Sequence, residues 1–201
     1  MTENRDRRSL SPEKREQLRR VIIELFADAP FQDVGLRDIC ARAGVTTRTV
    51  YKEFGNKDEL LLAAIGPDLD VMSAGIGAIV DCDDDFERRA RAIVRTYVNF
   101  FADNIPIARI FFQTLGNFYV ISTTQYYRML DIMRLREFIL QGQAAGAFRN
   151  DCSVDDLIDA SSAIASALIE RALLNEEMAF GADALADRIW SLLRPMLLAR
   201  T

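Results

Sequence analysis

Two short amphipathic segments on either side of one glycine constrain this chain more than any other feature. Residues 36–43 have the sequence LRDICARA, and residues 47–54 have the sequence TRTVYKEF. The first segment places its apolar or small side chains on one helical face: Leu36, Ile39, Cys40 and Ala43. Gly44 can end that helix with a positive φ, and Thr46 is a good N-cap for the next. The pattern predicts a helix-turn-helix.

The second segment divides into a packing face and an outward face. Cys40, four residues before the glycine, supplies the small side chain that two crossing helices require. The side chains of Val50 and Phe54 pack the second helix against the rest of the domain. The remaining side chains can all donate hydrogen bonds and are not needed for the core: Thr47, Arg48, Thr49, Tyr51 and Lys52. Taken alone, this face is as compatible with a solvated surface as with a nucleic-acid contact.

The charge distribution favours an anionic partner at the N-terminal end. The chain of 201 residues has a net charge of -5, yet its first sixty residues hold 12 basic and 11 acidic side chains. The acidic excess therefore lies beyond residue 60. The acidic run at 81–85 is interpreted as a loop and the first turn of a helix, because acids favour that position.

Composition excludes several classes of function. The chain has no histidine, which removes His-based triads and His metal ligands, and we expect no enzyme, no metal site and no cofactor. Cys40, Cys82 and Cys152 are widely spaced, so they indicate neither a disulfide framework nor a zinc site. The N-terminus lacks the apolar run of a signal peptide, and no uncharged stretch is apolar enough for a membrane span. We expect a soluble cytoplasmic protein without a membrane partner.

Helical periodicity dominates the whole chain, and no segment alternates as a strand. The pattern predicts an all-α protein of about nine helices. The first starts at Ser11-Pro12, the fourth is capped by Asn56 with Glu59 in capping-box position, and Gly66-Pro67 breaks or kinks it. We expect the later helices to begin near residues 86, 106, 118, 153–155 and 181.

Residues 24–65, ELFADAPFQDVGLRDICARAGVTTRTVYKEFGNKDELLLAAI, resemble the TetR family of bacterial transcriptional regulators. The similarity lies in the LRDI-A-AGV helix and turn, the T-Y-F of the next helix and the NKDEL that follows it. It implies a flexible arm at 1–10, a three-helix DNA-binding domain at 11–56, and a helical ligand-binding and dimerisation domain at 57–201. No other part of the chain carries a matching motif.

The resemblance also implies roles for individual residues. The positions that would contact DNA are Arg37, Thr46, Thr47, Arg48, Thr49, Tyr51, Lys52 and Lys57. Arg48 would recognise guanine, because a guanidinium fits its two acceptors, whereas Thr49 and Tyr51 would orient the domain on the backbone and Lys57 would meet a phosphate. Gly35 departs from the family, in which a small hydroxyl residue usually caps the second helix.

Two further sites follow from the resemblance. An inducer pocket is expected among the aromatic-rich fifth to seventh helices, where core packing is the alternative, at Phe100, Phe101, Phe111, Phe112, Gln113, Tyr119, Thr124 and Tyr127. A two-fold interface is expected on the small-residue face of the last two helices, where intrachain packing is the alternative, at Ala160, Ala163, Ile164, Ala167, Leu168, Leu185, Ile189 and Leu193.

The sequence thus indicates a ligand-responsive, homodimeric DNA-binding regulator. We expect a repressor that a largely apolar small-molecule inducer releases from a near-palindromic operator, with recognition helices about 34–36 Å apart. An all-α ligand carrier or enzyme with a vestigial helix-turn-helix is the alternative. A third possibility is an N-terminal domain that contacts proteins rather than DNA.

Overall fold

The computed structural model of the protein describes residues 10–114, 132–176 and 178–199, and within these ranges the fold is all-α. Nine α-helices occur there, accompanied by a 3-10 turn at Phe31–Asp33 and a π-helical turn at Ile110–Thr114. The helices are α1 Pro12–Asp28, α2 Leu36–Ala43, α3 Thr47–Phe54, α4 Lys57–Val80, α5 Phe86–Asp103, α6 Ile105–Arg109, α7 Ile132–Ala144, α8 Val154–Leu174 and α9 Met178–Leu197. The predicted fold class is confirmed; the predicted start of the seventh helix at residue 118 lies outside the described residues.

The chain divides into two compact units. The first comprises Met1–Pro67 with Arg109–Ile121, and the second comprises Asp68–Ala108 with Ser122–Thr201. The first unit therefore extends beyond the expected domain end at residue 56, and it also takes in a segment from the middle of the chain. The difference arises because the first turns of α4 bury Leu60, Leu61 and Ile65 in the same core as α1–α3.

The core of the first unit is built on α1. The hydroxyl of Ser11 accepts a hydrogen bond from the Lys14 backbone N–H at 3.3 Å, and Pro12 occupies the first turn, where its missing N–H costs nothing. The buried residues of α1 recur four apart: Leu18, Ile22 and Phe26. They form one stripe against α2 and the π-helical turn, which supports the short α2 and α3 that could not persist alone.

α4 runs without interruption from Lys57 to Val80, so of the break or kink expected at Gly66-Pro67 the break does not occur. The clash that usually drives the residue before a proline out of the α region involves its Cβ, which Gly66 lacks. The proline still removes the hydrogen bond to the Ala63 carbonyl. α4 has the length and apolarity of a membrane span, but Asp68 and Asp70 lie in its middle.

In the second unit, α9 packs along α5 and α8. Asp85 caps α5 by accepting hydrogen bonds from the Glu87 and Arg88 N–H groups, which confirms the role expected for the acidic run. Ser153 caps α8. α9 is kinked at Gly181 and continues through Pro195. A short antiparallel bridge between Phe148 and Leu198 fastens the end of α9 to the loop after α7.

Candidate functional site

The turn between α2 and α3 has the geometry that its glycine predicts. Gly44 adopts φ 62° and ψ 39°, and the Val45 N–H donates to the Cys40 carbonyl at 3.0 Å. The positive φ favours glycine here, whereas the atom nearest to an added Cβ would be Nζ of Lys14, at the end of a flexible side chain that can shift. Cys40 is buried at the crossing, and burial raises the pKa of its thiol. It is therefore a packing residue rather than a reactive one.

Two threonines hold the first turn of α3. Thr46 is the N-cap, and its hydroxyl accepts a hydrogen bond from the Thr49 backbone N–H at 3.1 Å. The hydroxyls of Thr46 and Thr49 lie 2.9 Å apart and form a hydrogen bond with each other. Both threonines are among the residues predicted to contact DNA. In the structure their hydroxyls also stabilise the first turn of the helix that carries the other predicted contacts.

The outward face of α3 is free of internal ion pairs. Arg48 and Lys52 are exposed, Tyr51 is 58% exposed and Thr47 is half-buried. Their positions one turn apart place them on one side of the helix, while Val50 is completely buried on the other. Within the part of the chain that the structure describes, the side chains of Arg37, Arg48 and Lys52 form no salt bridge or hydrogen bond. Arg37 and Arg48 lie in the first turns of α2 and α3, and Lys52 lies in the last turn of α3; unpaired cations on this surface suit an anionic backbone.

Glu53 fixes this face relative to α1, a link that the sequence did not indicate. Its carboxylate accepts hydrogen bonds from the Leu10 N–H and from Nη2 of Arg15, each at 2.6 Å. Arg15 also lies over the ring of Phe54, 5.4 Å from its centroid. The acid within the basic segment is therefore occupied by α1 and does not neutralise Arg48 or Lys52.

Lys57 does not occupy the place expected for a phosphate contact. Its ammonium donates to the Phe31 carbonyl and lies over the rings of Phe31 and Phe26, 4.4 and 5.6 Å from their centroids. Desolvation by burial lowers the pKa of Lys57. The aromatic pair attracts the cation inward, and the structure therefore assigns Lys57 to the packing of the α4 start. The predicted capping box beside it is confirmed, because Asn56 and Glu59 exchange hydrogen bonds at 2.8 and 3.0 Å.

Gly35 stands at the N-cap of α2 and supplies no side-chain hydrogen bond. Because position 35 has no hydroxyl, no side chain at the N-cap accepts hydrogen bonds from the N–H groups in the first turn of α2. Arg37 lies exposed in that same turn.

A cavity of about 220 Å³ lies within the second unit. Aliphatic and aromatic side chains from α4, α5, α7, α8 and α9 make up most of its lining, among them Ile76, Ile93, Tyr97, Phe138, Ile158 and Leu193. Its polar groups come chiefly from α8 and are Asp159, Ser161 and Ser162. Ser161 is distinctive among them, because its Oγ is buried and has no hydrogen-bond partner in the described residues.

None of the described aromatic residues predicted for the pocket lines this cavity. Phe101 is fully buried and packs edge-on against Tyr97 and Phe100, so it supports the wall from behind. Phe111 and Phe112 are buried in the first unit. Tyr119, Thr124, Tyr127 and the side chain of Gln113 lie outside the described residues. The prediction relied on aromatic content, but large rings can fill the interior of a helical unit. Small lining residues such as Ala90 and Ala165 leave room for a cavity.

The last two helices present a partly exposed face. Ala163 and Ala167 are exposed, and Ala160, Ile164, Leu168 and Leu185 are half-buried. Ile189 and Leu193 are buried in the core of the same chain, so their side chains are not available to a second chain, and their assignment to an interface is corrected. Leu174 and Leu192, which were not predicted, are 67% and 48% exposed on these helices.

The helix-turn-helix carries a capped helix with an unpaired basic face, and a second helical unit holds an apolar cavity. These two features define a DNA-binding regulator with a candidate ligand site. Residues 18–64 match the sequence profile described as "Bacterial regulatory proteins, tetR family". The match covers the helix-turn-helix region and the start of α4, and this part of the chain is similar to that family.

Known relatives agree with that assignment. The chain is 30% identical over 101 residues to the HTH-type transcriptional activator FasR of Mycolicibacterium smegmatis, a match that covers 50% of this chain and 46% of that protein. The aligned part thus spans about half the length of this curated relative.

Solved structures share the fold at low sequence identity. A TetR-family transcription regulator from Shewanella sp. PV-4 superposes with a TM-score of 0.72 at 21% identity, covering 93% of this chain and 99% of that one. The fatty acid degradation regulator FadR of Bacillus halodurans gives 0.72 at 17% identity over 92% and 96%. FadR of Bacillus subtilis, solved in complex with stearoyl-CoA, gives 0.71 at 14% identity over 89% and 96%.

Proposed function

We propose that this protein is a homodimeric transcriptional regulator that binds operator DNA through α3 and releases or remodels it when a small molecule occupies the second unit. The observation that carries the proposal is the unpaired basic face of α3. Arg48 and Lys52 are exposed on a capped helix that follows a glycine turn, and neither side chain packs in the core. Such a helix fits the major groove, where a guanidinium can recognise guanine.

The cavity is the proposed ligand site. It is mostly apolar and carries a few polar groups on one helix, as small-molecule sites commonly do. A ligand acts on DNA binding only if it binds one of two conformations more tightly than the other. The covalent connections between the units, at residues 67–68 within α4, 108–109 and 121–122, are the routes through which that preference would reach α3.

Repression remains our expectation for the direction of control, and FasR, which is named an activator, represents the opposite outcome. A reporter gene under the cognate operator separates the two: deletion of the regulator raises expression for a repressor and lowers it for an activator. We place the protein in the cytoplasm, where operator DNA is found, and assign it no catalytic reaction.

DNA binding is tested by selecting double-stranded sites from a random pool with the full-length protein. We expect a near-palindromic site and an affinity that falls as salt concentration rises. Enrichment of no sequence would favour the carrier or enzyme with a vestigial helix-turn-helix. Tight binding to a protein partner that salt does not weaken would favour a protein-contact domain instead.

The dimer is proposed through the exposed face of α8 and α9. Leu174→Asp combined with Leu192→Asp should convert the dimer to monomer in sedimentation velocity, because each places a charge in an apolar interface. Val71→Asp is the matched control, since Val71 is 70% exposed on α4. A dimer that survives the double substitution would place the interface elsewhere.

A further inference from the structure

The cavity in the second unit restricts the class of ligand, provided that the regulator proposed above is correct. Its volume of about 220 Å³ is below the roughly 300–1,000 Å³ of pockets for drug-sized ligands. An apolar protein cavity of roughly 150 Å³ holds one benzene molecule. By proportion, this space corresponds to a molecule of about nine non-hydrogen atoms. The cavity opens to solvent beside the exposed residues Asp159 and Ser162, so a longer ligand would extend out of it.

The polar groups of the cavity define where a ligand would be held. Ser161 Oγ is buried without a partner in the described residues, although buried hydroxyls are almost always hydrogen-bonded. Asp159 and Ser162 line the same cavity from the same helix. A hydroxyl group on a ligand can accept a hydrogen bond from Ser161 and would give its buried Oγ a partner.

The charges of the cavity disfavour an acid. Among the residues that the structure describes, the lining includes Asp159 and no basic side chain. Arg91 and Arg95 on α5 are paired with Asp187 and Asp183 on α9, at 2.9 and 2.6 Å. A carboxylate bound against the apolar walls would therefore lose its hydration without gaining a counter-charge from the described lining.

Arg89 is the one buried cation near these elements in the described residues, and it has another partner. Its guanidinium lies over Phe86 and Phe138, 5.0 and 4.7 Å from the ring centroids, and donates to the Val80 carbonyl at the end of α4. It does not belong to the cavity lining. The cation–π contacts and the helix C-terminus hold the guanidinium in place, and its Nε is buried without a hydrogen-bond partner in the described residues.

We infer that the ligand is a compact, uncharged and largely apolar molecule with one hydroxyl group, of the size and polarity of an alkylphenol. Ser161 binds the hydroxyl, and the aromatic and aliphatic walls contact the rest.

Calorimetry on the full-length protein with four probes tests the class of ligand. We expect 4-propylphenol to bind, and propylbenzene to bind about tenfold more weakly, because it lacks the hydrogen-bonding group. We expect no binding of 4-propylbenzoate or stearoyl-CoA. The inference is overturned if the phenol does not bind, if propylbenzene binds equally well, or if the benzoate or the thioester binds more tightly than the phenol.

Three variants locate the binding in this cavity. Ser161→Ala should weaken 4-propylphenol about tenfold, with Ser166→Ala on the same helix as the matched control that leaves it unchanged. Ala165→Leu should abolish binding by filling the cavity. Asp159→Asn should weaken discrimination against 4-propylbenzoate. Equal phenol affinity in Ser161→Ala and the unsubstituted protein would overturn the assignment, provided that thermal melting shows both to be folded.

Operator binding separates a failure of this inference from a failure of the proposed function. If the protein selects a DNA site but prefers an anionic probe, the regulator stands and the ligand class is wrong. If it selects no DNA site, the proposed function is wrong, whatever the cavity binds.

Discussion

The hydroxyl of Thr46 accepts a hydrogen bond from the backbone N–H of Thr49 and also bonds the Thr49 hydroxyl, so the two residues order the start of α3 together. Thr46→Ala removes the cap and should lower the free energy of unfolding by about 1 kcal/mol, as measured by urea denaturation. DNA affinity should fall as well, because the first turn of α3 presents Thr47 and Arg48. Thr46→Ser keeps the oxygen and should restore both quantities; loss of stability in the serine variant would contradict the capping role.

Arg48 should set base specificity, and its removal should leave the fold intact. Arg48→Ala should weaken binding to the cognate operator by about 1–3 kcal/mol and relax the preference at one base pair, as measured by fluorescence anisotropy on operator variants. Arg88→Ala, which removes an exposed arginine of the second unit, is the control. An unchanged affinity and an unchanged base preference in Arg48→Ala would reject the proposed contact.

Lys52 and Lys57 should respond in opposite ways to the same substitution. Lys52→Ala should keep the stability and reduce the slope of log affinity against log salt by about 1, because an exposed lysine neutralises one phosphate. Lys57→Ala should lower the free energy of unfolding by about 1–2 kcal/mol, since it loses the Phe31 carbonyl and two aromatic rings.

Urea denaturation compares the stabilities of the two variants. DNA binding is then measured over a range of salt concentrations, under conditions in which both variants are folded. If Lys57→Ala changes the salt slope as much as Lys52→Ala does and leaves stability unaltered, then Lys57 meets a phosphate after all.

Local chemistry made the helix-turn-helix predictable from sequence. Gly44, Thr46 and the pair Asn56 and Glu59 act through their immediate neighbours, so their effects are visible in a few consecutive residues. The all-α class followed from apolar periodicity in the same way.

Non-local packing explains what the sequence did not reveal. The side chain of Lys57 turns inward because Phe26 and Phe31 lie next to it in the fold, and no spacing rule indicates that. The cavity depends on where small residues from different helices meet, so aromatic content pointed to Phe111 in the first unit rather than to Ser161. Ile189 lies on the apolar face of its helix, and such a face can pack against a second chain or into the core of its own chain. In the structure Ile189 is fully buried in the core.

Gly66 and Pro67 should be energetically coupled, because a Cβ at position 66 would add to the clash with the proline ring that disfavours a helical residue before proline. Pro67→Ala restores the hydrogen bond to the Ala63 carbonyl and should raise the free energy of unfolding by about 1–3 kcal/mol. Gly66→Ala alone should destabilise the protein. In the Pro67→Ala background the same substitution should stabilise it by about 1 kcal/mol, since alanine is then an ordinary helix former and no atom lies within 4 Å of its Cβ. A double-mutant cycle by urea denaturation measures the coupling, and additive effects would show that the glycine has no special role before Pro67.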